Sequence, residues 1–248
     1  MQWDSHIALR SRISMSMRSP IVLAVDTSDL GMAIEWVKAT EGFVSVYKLG
    51  LEFYLNFGKE GVHAISNSTD SDIFLDLKLH DIPHTVSGAA SAISSLNVKY
   101  LTVHASGGSA MIAAAVEAVP LTYVTGVTIL TSLSESDVAA VGFKNNALES
   151  AVGLAKLAVS AGARAIVCSP LEILAIRQSI GSEITIITPG VRPADSAASD
   201  DQKRTMSPRD AIDQGANLVV IGRPITSAWS QGAVAMRERA EQICAQIL

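Results

Sequence analysis

From Ile21 onward the chain alternates two kinds of hydrophobic pattern. Short apolar runs, many of them β-branched, recur at 21–26, 44–50, 72–78, 100–104, 123–130, 165–169, 184–189 and 218–222; runs of this length and composition suit strands buried on both faces. Between them apolar residues fall at helical spacing over 29–40, 85–95, 109–118, 148–161, 170–178, 207–214 and a last stretch from 226 to 247. Ser28-Asp29 before one helix and Ser207-Pro208 before another supply an N-cap and a proline at the first helical turn. Strand and helix alternate about eight times, which predicts parallel βα units and, with eight strands, closure into a single-domain (β/α)8 TIM barrel of the α/β class. An open doubly wound sheet would need a glycine-rich turn after its first strand, and Val25-Asp26-Thr27-Ser28 contains no glycine. The repeating unit shares no sequence motif, so it is the βα unit itself and not a solenoid repeat.

Composition narrows the partners. The chain has 248 residues, 48% of them hydrophobic and 17% charged, enough for one large core. Its formal net charge of −5 and the lack of a basic block argue against nucleic-acid or acidic-membrane binding. No apolar run approaches the ~20 residues of a membrane span, so a soluble, cytoplasmic protein is expected. Cys168 and Cys244 make neither a metal spacing nor a disulfide framework and read as small core residues in a reducing compartment. Residues 1–19, with Arg10, Arg12 and Arg18 among serines and Asp4 as the one acid, have the composition of a transit peptide. Without any other organelle signal they are expected to be a disordered or dispensable extension ahead of a catalytic barrel over 20–248.

The chemistry concentrates where strands end. In such barrels the reacting groups sit at the carboxyl ends of the strands. Those positions hold Asp26, Lys48, Asp76 with Lys78 and Asp81, His104, Thr131 with Ser132, Ser169, Pro189-Gly190 with Arg192, and Gly222-Arg223. Alternation along a strand puts Asp76 and Lys78 on one face and Leu75, Leu77 and Leu79 on the other. Pro83 stops the strand and holds Asp81 in a defined loop. Beside Lys48 on a neighbouring strand, these residues predict a row of alternating charge, Lys48, Asp76, Lys78, Asp81. Neighbouring carboxylates favour a charged lysine, and a charged lysine donates a proton where an uncharged one would form a Schiff base. The row therefore points to chemistry in which a carbanion forms and is protonated. The Gly190–Arg192 and Gly222–Arg223 pairings, after the seventh and eighth strands, suit a phosphate held by backbone N–H groups and a guanidinium fork. Asp26 suits either a helix cap or a ribose hydroxyl. His80 and His104 read as structural, since neither has a second ligand at metal spacing.

With these residues in place, the chain resembles the orotidine 5′-phosphate decarboxylase family. The match rests on the run from Asp76 through Leu77, Lys78, Leu79, His80, Asp81, Ile82, Pro83 and His84 to Thr85. It is supported by Val25-Asp26, Lys48-Leu49-Gly50, Leu130-Thr131-Ser132, Pro189-Gly190-Val191-Arg192-Pro193, Gln202 and Ile221-Gly222-Arg223-Pro224. The Asp-x-Lys-x-x-Asp core also occurs in related sugar-phosphate enzymes, whereas the whole set in order is highly specific. The resemblance implies a homodimeric barrel that converts orotidine 5′-phosphate to UMP and carbon dioxide, the last step of de novo pyrimidine synthesis, with no cofactor and no metal. It further implies that Lys78 protonates C6 and that Asp76 lies beside the departing carboxylate. Asp81 and Thr85 would reach into the neighbouring subunit's site, and the whole run Asp76 to Thr85 would belong to the substrate site. Lys48 and Asp26 match ribose contacts, Thr131 a pyrimidine contact, and Gln202, Gly222 and Arg223 the phosphate grip, with Arg192 in the closing loop. His84 stands where many relatives carry Asn. Thr131, Ser132 and Ser134 share one loop, and the choice of pyrimidine contact among them stays open. The competing readings are a metal-assisted sugar-phosphate lyase, which needs further acidic ligands, and a non-catalytic phosphate-binding barrel.

Overall fold

The computed structural model describes residues 19–193 and 206–248. Eight parallel strands close in chain order into a barrel: β1 (Ile21–Ala24), β2 (Val46–Gly50), β3 (Asp72–Leu79), β4 (Tyr100–His104), β5 (Tyr123–Val127), β6 (Ala165–Val167), β7 (Thr185–Thr188) and β8 (Leu218–Ile221). Around it run α1 (Leu30–Thr40), α2 (Leu51–Ser66), α3 (Pro83–Ile93), α4 (Ser109–Ala118), α5 (Glu135–Ala140), α6 (Ala147–Ser160), α7 (Ile173–Ile180), α8 (Pro208–Asp213), α9 (Arg223–Thr226) and α10 (Ala233–Ile247). The expected single-domain (β/α)8 barrel is the observed one.

Period-two alternation sorts the core into two layers. Val22 and Ala24 of β1, Val46, Phe74, Tyr100, Ala165, Ile187 and Val220 face the barrel axis and pack together. Ile21, Leu23, Tyr47, Leu49, Ile73, Leu75 and Leu101 face outward and bury the inner sides of the helices. Toward the amino ends of the strands, Phe74, Tyr100 and Tyr123 stack edge to face with centroids 5.7 Å apart, which fills the lower barrel. The carboxyl ends are left free for polar side chains.

Local signals account for most of the element boundaries. Asp29 caps α1 by accepting from Met32 N at 2.9 Å, and Ser207 caps α8 by accepting from Asp210 N at 3.1 Å. Several expectations change: β1 ends at Ala24 instead of 26, β6 at Val167 instead of 169, and the helix expected from 170 starts at Ile173 after a 3-10 turn over Pro170–Glu172. The helix expected over 85–95 begins at Pro83, whose fixed φ and missing N–H suit a first turn. The helix expected over 226–247 starts only at Ala233 as α10: Thr226 is the last residue of α9, a 3-10 turn covers Ser227–Gln231, and Gly232 at φ 98° lies outside helical backbone. The fifth strand stops at Val127 instead of 130: Thr128 N–H still reaches Val167 O at 3.1 Å, but the chain then turns back, with Leu133 N–H on Leu130 O at 3.1 Å. The pattern left α2 and α5 unassigned. Among the described residues no helix is long and apolar enough to cross a membrane.

Candidate active site

The register of the first three strands brings four charged groups into one line. Ala24 pairs with Lys48, and Gly50 pairs with Asp76, so the ends of β1, β2 and β3 meet at the carboxyl rim. Lys48 Nζ lies 3.4 Å from Asp26 Oδ1 and 3.5 Å from Asp76 Oδ2. Lys78 Nζ donates to Asp76 Oδ1 at 2.8 Å. The side chains of Lys48 and Asp76 are 13% and 12% exposed, against 31% for Lys78 and 54% for Asp26, so the row is buried in the middle and more open at its two ends. Gly50 leaves space for it: a Cβ there would stand 3.2 Å from Lys48 Nζ and 3.3 Å from Asp26 Oδ1.

The order within this row differs from the sequence expectation. In the single chain it reads Asp26, Lys48, Asp76, Lys78, and Asp81 is not part of it. Asp81 is exposed beyond the strand, and its Oδ1 accepts the N–H of Ile82 at 2.6 Å. The strand also departs from plain alternation. Lys78 has φ +50°, a left-handed conformation costing an L-residue roughly 1–2 kcal/mol. The β3–β4 pairing shifts between Leu75 and Leu79, the mark of a bulge, a device common beside active sites.

Burial alone would raise the Asp76 carboxyl. The ammonium groups of Lys48 and Lys78, with hydrogen bonds from Lys78 and Thr102, outweigh it and hold the group below its ordinary value. His104, its ring 5.3 Å from that of His80, is pushed below the usual imidazole range by burial, then by His80 and Lys78.

A cavity of about 320 Å³ opens over this row and takes in Asp26, Lys48, Asp76, Lys78, Thr131, Arg192, Gly222 and Arg223 from the expected site. Ala24, Phe74, Val127, Val167 and Val220 give it an apolar floor. Pro189 and Gly190 after β7 and Gly222 and Arg223 after β8 form the next arc of the rim, which joins the charged arc through the β8–β1 pairing. Gly190 has φ +80°, a conformation that favours glycine. The volume and the mix of apolar floor with a few convergent polar groups suit a small-molecule ligand.

Other expected residues lie elsewhere. Leu77 and Leu79 pack against the outer core, as their alternation with Asp76 requires, and do not line this cavity. His80, Asp81, Ile82, Pro83, His84 and Thr85 form a continuous exposed run at the start of α3, with Ile82 65% exposed. Gln202 lies outside the described residues. Sequence reasoning missed Thr102, which is buried and donates to Asp76 Oδ1 at 2.9 Å; the available signal was a hydroxyl two residues beyond Tyr100 on the inward face of the neighbouring strand. Among the described residues no three His, Cys, Asp or Glu side chains group to hold a metal ion.

The closed barrel and the charged rim cavity define an α/β barrel enzyme. The sequence pattern of the "Orotidine 5'-phosphate decarboxylase / HUMPS family" matches residues 19–237, and the chain belongs to that family. It is 49% identical over 225 residues to a Thermobifida fusca protein named orotidine 5′-phosphate decarboxylase, covering 91% of this chain and 96% of that one. Over 235 residues it is 43% identical to the Frankia casuarinae protein of the same name, covering 88% and 85%. The crystal structure of orotidine 5′-phosphate decarboxylase from Lactobacillus acidophilus superposes with a TM-score of 0.77 at 31% identity, covering 92% of this chain and 99% of that one.

Proposed function

We propose that this protein decarboxylates orotidine 5′-phosphate to UMP and carbon dioxide, the last step of de novo pyrimidine synthesis, as a cytoplasmic homodimer that needs no cofactor. The observation that carries the reading is the Lys78 ammonium hydrogen-bonded to Asp76 at 2.8 Å over a nucleotide-sized cavity, in a chain whose named relatives are orotidine 5′-phosphate decarboxylases.

In the reaction the bond between C6 and the carboxyl carbon breaks, its electron pair stays on C6, and carbon dioxide leaves. The proton on Lys78 Nζ passes to C6 to give UMP, and the lysine recovers a proton from solvent. A fixed ammonium beside C6 stabilises the charge developing there more than it stabilises the substrate, which is what lowers a barrier. Asp76 holds that ammonium in place and lies beside the departing carboxylate. Asp26 and Lys48 take the ribose hydroxyls, and Thr131 contacts the pyrimidine. Gly222 and Arg223, with Arg192 and Gln202, take the phosphate, whose distance from C6 lets its binding energy drive closure of the site. The exposed run from His80 to Thr85 completes the cavity of a second subunit, with Asp81 and Thr85 reaching furthest. Leu77 and Leu79 fix that run by packing against the outer core.

The test is the fall in near-ultraviolet absorbance of orotidine 5′-phosphate when purified protein is added with a chelator present. Turnover is expected, and its loss in Lys78→Ala. Absence of turnover by the wild-type protein rejects the function, and full turnover by Lys78→Ala rejects the mechanism.

A further inference from the structure

The bulge in β3 leaves a backbone donor to be satisfied. Leu75 stands opposite Leu101 and Leu79 opposite Val103, so four steps along β3 match two along β4. Residues in such a bulge lose their ladder partners, and an unpaired N–H inside a barrel is strongly disfavoured. Lys78 N–H finds its acceptor in a side chain, Thr102 Oγ1, at 2.8 Å. The Thr102 hydroxyl passes its own hydrogen to Asp76 Oδ1 at 2.9 Å, the oxygen that also accepts Lys78 Nζ at 2.8 Å. A hydroxyl has one donor and two acceptor positions, and here it bridges the backbone and the carboxylate partner of the same lysine. The result is a closed ring: Lys78 N–H to Thr102, Thr102 to Asp76, Asp76 to Lys78 Nζ.

Thr102 is 0% exposed, and its β-branched side chain has few rotamers open to it. Its hydroxyl therefore points one way. Serine could make the same two bonds. Valine has the same shape and makes neither.

We propose that Thr102 is a positioning residue for the decarboxylation, holding Lys78 in its left-handed backbone turn and setting Asp76 Oδ1 against the ammonium. This inference rests on the decarboxylase reading of the cavity. Thr102 does not line the cavity, so it acts through Lys78 and Asp76 and leaves ground-state binding of the nucleotide to other groups.

The test compares Thr102→Val and Thr102→Ser with the wild-type protein in the orotidine 5′-phosphate absorbance assay, with thermal unfolding run alongside and rates given per folded enzyme. Thr102→Val is expected to lose roughly 10- to 100-fold in kcat with KM within about twofold, the consequence of leaving the buried Lys78 N–H unpaired and Asp76 Oδ1 with one hydrogen bond fewer. Thr102→Ser is expected to restore kcat to within about threefold of wild type, since it keeps both hydrogen bonds. Should the valine variant not fold, Thr102→Cys, whose thiol is a weak donor, is expected to show the same loss of kcat at unchanged KM. A crystal structure of Thr102→Val or Thr102→Cys supplies a readout apart from turnover: the Lys78 φ is expected to leave the left-handed region or its Nζ to leave Asp76. The inference is overturned if the hydroxyl-less variant keeps wild-type kcat, if the serine variant loses as much as the valine one, or if the Lys78 conformation is unchanged without the hydroxyl. Wild-type protein that does not turn over orotidine 5′-phosphate overturns the assigned reaction instead, and the crystallographic comparison then decides the positioning alone.

Discussion

Asp76 stands between Lys48 and Lys78, its Oδ1 2.8 Å from the Lys78 ammonium and its Oδ2 3.5 Å from that of Lys48. One buried carboxylate thus fixes two cations on adjacent strands. Removing any one member takes a partner from its neighbours in a partly dry site, and several outcomes depend on that.

Replacing Lys78 with alanine should lower kcat by at least about 10²- to 10⁴-fold, the range that a positioned general acid contributes. Asp76 keeps Lys48 and Thr102 as neighbours, so the variant should stay folded. Absorbance kinetics and circular dichroism on the same sample separate loss of chemistry from loss of fold.

The depressed Asp76 carboxyl carries a signed pH effect. Its folded-state value lies below the ordinary 3.8. Its contribution to stability is therefore full above that value and is lost as pH falls through the folded one. Asp76→Asn should be less stable than wild type at neutral pH by about 1–3 kcal/mol, and the gap should narrow below pH 3.8. Urea unfolding at pH 7, 5 and 3.5 measures this; a gap that stays constant over the whole series contradicts the assignment.

Gly50→Ala should crowd the Lys48–Asp26 pair, because the added carbon would lie 3.2 Å and 3.3 Å from the two charged atoms. Both belong to side chains that can shift, so the effect belongs at the low end of overpacking, about 1 kcal/mol. We expect it to surface as a several-fold rise in KM with folding intact, measured by substrate titration.

If Asp81 completes the neighbouring subunit's cavity, Lys78→Ala and Asp81→Ala chains should each be inactive alone and regain activity when mixed. In a mixed dimer one site carries both lesions and the other carries neither, so random pairing of a two-fold dimer restores roughly a quarter of wild-type turnover. No recovery after verified subunit exchange would place Asp81 outside the partner's site.

Cys168 borders the cavity yet is fully buried, and burial, followed by the charge of Glu172, pushes its thiol upward. Thiolate is the reactive form. Native protein at pH 7.5 should therefore resist iodoacetamide at Cys168, which intact-mass and peptide analysis would reveal.

Much of this was legible along the chain. The apolar runs located all eight strands, and reading their carboxyl ends picked out Asp26, Lys48, Asp76, Lys78, Thr131, Arg192, Gly222 and Arg223, which line one cavity. That worked because strand pattern and strand ends are local properties, and closure of a parallel barrel brings all its ends to one rim. Local pattern alone also put Asp81 in the charged row, since the residue follows Lys78 by three. The exposed turn and the Ile82 N–H take it out.

What sequence alone determined is the barrel, its polar rim and the alternating acids and bases. What only the tertiary structure decided is the order Asp26, Lys48, Asp76, Lys78, the left-handed backbone at Lys78 and the hydrogen bonds of Thr102. These arise from register between strands far apart in the chain: a two-residue excess of β3 over β4 frees the N–H of Lys78 and sets a hydroxyl 24 positions away to receive it. No periodicity within either segment encodes that offset, because it is settled only when the two strands pair and the core on both faces packs around them.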